Sequence, residues 1–190
     1  MSDHARYIKD FMQSGIPVYT AFETQTALET ITGERTIPIP PRRPRQIGSF
    51  SVTPFNVPHD TEIECYGYLI KHEEMGKLLF LTDLEYCKYN FSNQMVNHIL
   101  CEANYDMQFV DRDEPNYEHR LRGHMSLDTA LKFISTNDNQ ALRNVVLIHL
   151  SDKSGDPALF KQKTEEIVKY GANVYIAEKG LNVDMNLCPF

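Results

Sequence analysis

The chain has 190 residues, which is enough for one domain with a sizeable core and short for two. Its net charge of −7 argues against a generally basic surface for gripping nucleic-acid backbones, although a local basic patch is compatible with it. No stretch approaches the roughly 18 apolar residues of a membrane span, and no signal-peptide pattern opens the chain. The four cysteines form no CxxC pair, so reduced thiols in a cytoplasmic protein are expected.

The first third of the chain alternates helical and extended patterns. Residues 4–14 predict a short helix that ends at Gly15, 16–20 a strand, and 23–32 a second helix that ends at Gly33. The proline- and arginine-rich segment 37–48 excludes a regular helix or a central strand. A surface connection is favoured there over a polyproline ligand or a phosphate-facing basic loop.

From residue 50 the pattern becomes strand-rich. Alternation predicts a strand at 50–57 and a hairpin of 66–72 with 77–82, joined by a glycine-containing turn. Further strands are predicted at 98–104, 144–151 and 173–178. Helices are predicted at 126–135, where Ser126 is the N-cap, and at 157–170. This order predicts a layered α/β fold.

Polar residues follow the apolar runs at several strand ends. Open α/β sheets place ligands where strands leave the core. One histidine in such a place is usually structural, but several with aspartates supply the nitrogen and oxygen ligands of zinc, manganese or iron. These residues are His59, Asp60, Asp83, His124 and His149, together with Asp3 and His4 near the start. The other histidines, His72, His98 and His119, are interpreted as surface or structural.

Five segments in this order resemble the metallo-β-lactamase superfamily. They are PFNVPHDTEIECYGYLI, LFLTDLEY, CEANYD, RLRGHMSLDTAL and IHLSDKSGDP. Within the superfamily they are most similar to a phosphodiesterase-like branch with ribonuclease Z, the YycJ/VicX-type proteins and phage anti-Pycsar-type hydrolases. The resemblance implies a single domain over 1–190 with a four-layer αββα sandwich of two mixed β-sheets.

The resemblance also implies a site with one or two Zn²⁺ or Mn²⁺ ions. His59 would bind the first metal, Asp83 would bridge both, and Asp3, His4 and His149 would complete the second. Asp3 would also orient the attacking water, and His124 would act as general acid. The implied activity is hydrolysis of phosphodiester bonds in nucleic acid or cyclic nucleotides by a metal-bound hydroxide.

One departure from the family pattern lies at the start of the chain. In the motif HxHxDH the second histidine would fall at Met1, and the first would precede it. The sequence therefore predicts an N-terminally truncated form of the fold with an incomplete first metal site, about one bound metal per chain, and weak or absent turnover. A catalytically impaired binding or regulatory remnant, or a fragment, is the alternative. No membrane partner is expected, and homodimerisation is left open.

Overall fold

A computed structural model describes residues 7–32, 36–59, 65–115 and 117–188. The predictions for Asp3, His4, Gly33 and Asp60 lie outside these residues. Helices of the described part are α1 (Ile8–Gln13), α2 (Phe22–Thr32), α3 (Tyr117–Gly123), α4 (Leu127–Asn137) and α5 (Pro157–Ile167). Its strands are β1 (Tyr19–Thr20), β2 (Ile37–Pro38), β3 (Arg45–Ile47), β4 (Phe50–Val57), β5 (Cys65–His72), β6 (Gly76–Leu81), β7 (His98–Glu102), β8 (Asn144–Ile148) and β9 (Asn173–Ile176).

The described strands form a seven-stranded mixed sheet and a two-stranded parallel sheet. The large sheet has the order β3-β4-β5-β6-β7-β8-β9 and is antiparallel from β3 to β6 and parallel from β6 to β9. The small sheet pairs β1 with β2. An α/β fold was predicted and is observed, whereas the described residues show one large mixed sheet beside a parallel pair.

The strand directions bring several carboxyl ends to one edge of the sheet. Strands β6, β7 and β8 are parallel neighbours, so their carboxyl ends lie side by side. Strand β4 is antiparallel to β5, and β5 is antiparallel to β6, so β4 ends at this edge too. The predicted strand-end residues are therefore delivered to a common edge, and we call it the carboxyl edge.

The core lies under the parallel half of the sheet. Strand β8 is buried along nearly its whole length, as expected for a strand covered on both faces. Leu79, Ile99 and Val145 on adjacent strands have no exposed surface, nor does Phe160 of α5. This packing holds β6, β7 and β8 in place and fixes the carboxyl edge.

Most predicted elements are present with small shifts at their ends. Helix α4 begins where Ser126 caps it, because the Ser126 hydroxyl accepts a hydrogen bond from the Thr129 amide at 3.2 Å. The segment 37–48 contributes only the short strands β2 and β3, and β3 lies at the sheet's edge. Helix α3 was not predicted. Within the described residues, no helix is both long and apolar enough to cross a membrane.

Candidate metal centre

Four side chains converge at the carboxyl edge. Glu102 is the last residue of β7. His149 directly follows β8, Asp83 lies two residues after the end of β6, and His124 lies between α3 and α4. Each offers a ligand atom, and these atoms all lie within 4.8 Å of one another. Carboxylate oxygens and imidazole nitrogens together suit zinc, manganese or iron.

Two distances between these donors match those between ligands around one ion. His149 Nδ1 lies 3.4 Å from Glu102 Oε1 and 3.5 Å from Asp83 Oδ1. Donors about 2.1 Å from a tetrahedral zinc would lie about 3.4 Å apart. The two contacts of His149 therefore have the spacing that a divalent ion held by Asp83, Glu102 and His149 would need.

His124 makes a closer contact with the same glutamate. Its Nδ1 lies 2.7 Å from Glu102 Oε1, which is a hydrogen-bond distance. A carboxylate only accepts, so Nδ1 carries the proton and donates it, and Nε2 keeps the lone pair. Glu102 therefore orients the His124 ring, as carboxylates behind metal-bound or catalytic histidines do.

The backbone is strained at two of the four positions. Asp83 has φ of 53° and His149 has φ of 57°, both in the left-handed region. This conformation costs a residue with a side chain about 1–2 kcal/mol, less for aspartate. Such outliers collect at functional sites, where the surrounding structure holds them in place.

Asn104 ties the loops of His124 and His149 together. Its side-chain amide donates to the His149 carbonyl at 2.7 Å, and its backbone carbonyl accepts from the Ser151 amide at 2.8 Å. Its own amide donates to the Met125 carbonyl at 2.9 Å. Asn104 therefore positions the loops of both histidines.

His59 and His119 lie next to the four converging side chains. His59 Nδ1 donates to the Gly123 carbonyl at 2.9 Å, and this bond leaves Nε2 unprotonated in the neutral ring. The His59 ring is centred 6.2 Å from the His124 ring, and the His119 ring is centred 6.3 Å from it. Both rings border the cluster rather than belonging to it.

Electrostatic coupling within the cluster shifts two pKa values. Burial disfavours the charged form of Glu102, but hydrogen bonds from His124 and His149 outweigh it and lower the pKa of Glu102. The hydrogen bond to Glu102, with the nearby charge of Asp83, raises the pKa of His149 despite its partial burial. The carboxylates thus attract positive charge to this point, and a bound cation would replace the proton there.

The structure places the sequence-predicted residues as follows. Asp83 and His149 are in direct contact, His124 is within 4.0 Å of Asp83, and His59 borders them. Their roles as ligands or general acid stay predictions. Glu102, Asn104 and the position of His119 were not predicted. The CEANYD segment contains Glu102 and Asn104. Nothing in the spacing of its residues marked the glutamate at the end of the strand as a metal ligand.

Comparison with known proteins shows what this fold is similar to. None of the protein-family models or curated proteins compared with the chain matches it. Solved structures do match, among them YhfI from Bacillus subtilis, a metallo-β-lactamase fold protein, with a TM-score of 0.68 and 20% identity. The match covers 94% of this chain and 72% of YhfI.

Two further solved structures are similar over most of the chain. Igni18, a metallo hydrolase from the archaeon Ignicoccus hospitalis, matches with a TM-score of 0.71 and 17% identity, over 96% of this chain and 75% of that one. A diphosphatase from the PhnP family matches with a TM-score of 0.61 and 15% identity, over 94% and 63%. At these identities the likeness shows the metallo-β-lactamase fold.

Proposed function

We propose that the chain is a metal-dependent hydrolase that acts on phosphodiester bonds of nucleic acid or cyclic nucleotides. The observation that carries this proposal is the Asp83, Glu102 and His149 donor set at the carboxyl edge, with spacings of 3.4 and 3.5 Å that suit one divalent ion. The metallo-β-lactamase fold of the neighbours supports it. Two of them, Igni18 and the PhnP-family protein, are described as a metallo hydrolase and a diphosphatase.

A Zn²⁺ or Mn²⁺ ion held by these residues would supply Lewis-acid polarisation of the phosphoryl group and a more acidic water. The protein's own contribution begins with Glu102, whose side chain has no exposed surface. Because it is buried and ionised, it fixes the orientation of both His124 and His149. The Asp83 side chain is 19% exposed, so part of it is accessible to a bound ion or substrate.

His124 is the proposed proton donor to the leaving oxygen. Its Nδ1–H is held by Glu102, so Nε2 is the ring atom that would carry and donate the proton. The ring borders a cavity of about 290 Å³, which also reaches His149. A proton on Nε2 is then available to an oxygen bound in that cavity.

The finer expectations from the sequence remain part of this proposal. They comprise a single domain, the four-layer αββα arrangement, a role for Asp3 and His4 in the second metal position, a cytoplasmic location and self-association. Support for self-association comes from apolar side chains of the first helices. Tyr7, Phe11 and Phe22 are 60%, 54% and 68% exposed. Light scattering at high concentration tests this last point, and a monodisperse monomer would contradict it.

The proposal is tested by metal content and hydrolysis together. We expect the chain to retain about one tightly bound ion after gel filtration and to hydrolyse bis(p-nitrophenyl) phosphate in a chelator-sensitive manner. E102Q and H149A should each lower metal affinity by at least 10-fold. H72A is the matched control, because His72 lies on the distal hairpin and contacts Ser49.

Two outcomes would contradict parts of the proposal. Metal binding that E102Q and H149A leave unchanged would show that the ion sits elsewhere. Metal binding at this site without hydrolysis of any phosphodiester would favour the alternative of a binding or regulatory protein.

A further inference from the structure

The cavity beside His124 and His149 contains a largely buried arginine. Arg120 of α3 lines it together with His119 and Asn104, and its side chain is only 14% exposed. A buried guanidinium keeps its charge, since its pKa lies above 12. Its presence in this cavity is not explained by the proposed metal chemistry, which uses carboxylates and imidazoles.

Two contacts hold the guanidinium in place. Nη2 donates to Glu114 Oε2 at 2.7 Å, and Nη1 donates to Ser154 Oγ at 2.6 Å. These contacts use two of the five N–H donors of an arginine. The group is therefore preorganised, which lowers the entropy lost when it binds a further acceptor.

The local charge around Arg120 is positive. Glu114 also pairs with Lys153, whose Nζ lies 3.4 Å from Glu114 Oε1. One carboxylate thus balances two cations, and the group keeps a net charge of +1 (two positive, one negative). His124 and His149, which line the same cavity as Arg120, contact the Asp83 and Glu102 carboxylates.

We propose that Arg120 forms the binding site for a non-bridging oxygen of an anionic tetrahedral group, a phosphoryl group in the first place. This inference rests on the proposed function and narrows its substrate class. A planar guanidinium with parallel N–H bonds matches the oxygens of a phosphate, and bonds to charged partners are the stronger ones. Substrates with a neutral acyl carbon offer no charge for such a group to bind.

Helix α3 provides the matched control for this proposal. Arg122 lies two residues further along, its side chain is 66% exposed, and its partner is Glu118 at 3.9 Å. Replacing either arginine with glutamine removes one positive charge from the same helix. Only R120Q removes this charge from the cavity. A comparison of the two variants therefore separates the loss of a local contact from the long-range effect of one lost charge.

The first experiment measures binding of inorganic phosphate to the Mn²⁺-loaded chain by titration calorimetry, without turnover. We expect R120Q to raise the Kd for phosphate by about 10- to 100-fold, the usual range for loss of a charged hydrogen bond. R122Q should stay within about 2-fold of the unmodified chain once salt screens the remaining charge. Equal Kd values for R120Q and R122Q would overturn the proposal.

A second variant guards against local unfolding, because R120Q leaves Glu114 without its buried partner. The double variant R120Q/E114Q removes both charges and should fold, yet it should bind phosphate as weakly as R120Q. R120K keeps the charge without the planar fork and should be intermediate. Phosphate affinity restored in the double variant would show that Glu114, not Arg120, controls binding.

Substrate choice gives the last readout. R120Q should raise KM for methyl p-nitrophenyl phosphate by about 10-fold or more, whereas R122Q should leave this KM within about 2-fold of the unmodified chain. Absence of phosphodiester hydrolysis in the unmodified chain, with Arg120-dependent phosphate binding intact, would refute the proposed function alone. Phosphodiester hydrolysis that is indifferent to R120Q would refute this inference alone.

Discussion

His149 allows the left-handed backbone at the candidate site to be tested by substitution. Its φ of 57° lies in a region that glycine adopts without strain and alanine does not. H149A and H149G remove the same contacts with Asp83 and Glu102, so the lost side chain cancels when the two variants are compared. The difference between them reports the backbone conformation.

The magnitude follows from two opposing contributions. The left-handed conformation costs alanine about 1–2 kcal/mol. Glycine loses more chain entropy on folding, which costs it about 0.5–1 kcal/mol relative to alanine. The net expectation is that H149G is more stable than H149A by about 0.5–1 kcal/mol. In an exposed helix the order is reversed, with alanine favoured by about 1 kcal/mol.

Urea denaturation in the presence of a chelator measures this difference. The matched control is the pair Q162A and Q162G in the exposed face of α5, where alanine should be the more stable variant. With m near 2–3 kcal/mol/M, H149G should unfold at a urea midpoint about 0.2–0.4 M above that of H149A. The same order in both pairs, with alanine more stable, would refute the left-handed backbone at His149.

Three further predictions concern the scaffold. Burial lowers the pKa of His98 below its ordinary value of 6.5, so the folded chain holds this ring neutral. The stabilisation by neutral His98 is fully present above pH 6.5, and the free energy of unfolding should fall as the pH drops below that value. A pH series of urea midpoints with H98N, which should flatten this dependence, checks it. Burial alone would raise the pKa of Asp106, but a hydrogen bond from the Gln108 amide and the contact with Lys163 outweigh this effect, so the pKa of Asp106 is lowered. The ionised Asp106 carboxylate therefore stabilises the fold at neutral pH, and this stabilisation is lost as acid protonates Asp106 in the folded chain. D106N should cost about 0.5–1 kcal/mol at neutral pH and little at pH near 2, by thermal unfolding. G67A should cost about 1–3 kcal/mol, because its Cβ would lie 2.5 Å from the Phe55 ring, and a wild-type melting temperature would contradict this.

The strand pattern of this chain was predictable because apolar runs and turn signals are local. Strand β4 occupies 50–57 as predicted, and the hairpin of β5 and β6 is confirmed with a register in which His72 pairs with Gly76. Helix α3 was missed because its sequence YEHRLRG has few apolar residues and no clear periodicity. Its helical state depends on its neighbours rather than on its own pattern.

The candidate site was predictable only in part, for a physical reason. Asp83, His124 and His149 follow apolar strands or open a helix, and the fold brings such ends together. Glu102 is the last residue of the buried strand β7, where sequence reasoning assigns buried apolar residues. Its burial is tolerated because His124 and His149 compensate its charge, and these partners are 22 and 47 residues away along the chain. Sequence patterns relate residues that are close along the chain, so they cannot detect a buried charge that such distant partners compensate.

The site combines a buried anchor at the end of β7 with side chains from α3. Glu102 is fully buried at the end of a central strand, and Asn104 anchors the loops of His124 and His149 to it. His119 is exposed on α3, whereas Arg120 of the same helix is held by Glu114 and Ser154. Metal affinity should therefore depend mainly on the buried carboxylate, whose geometry cannot relax. The α3 side of the cavity presents its own side chains to the group that is bound there. A fold that carries many activities can vary these α3 side chains without losing the buried carboxylate.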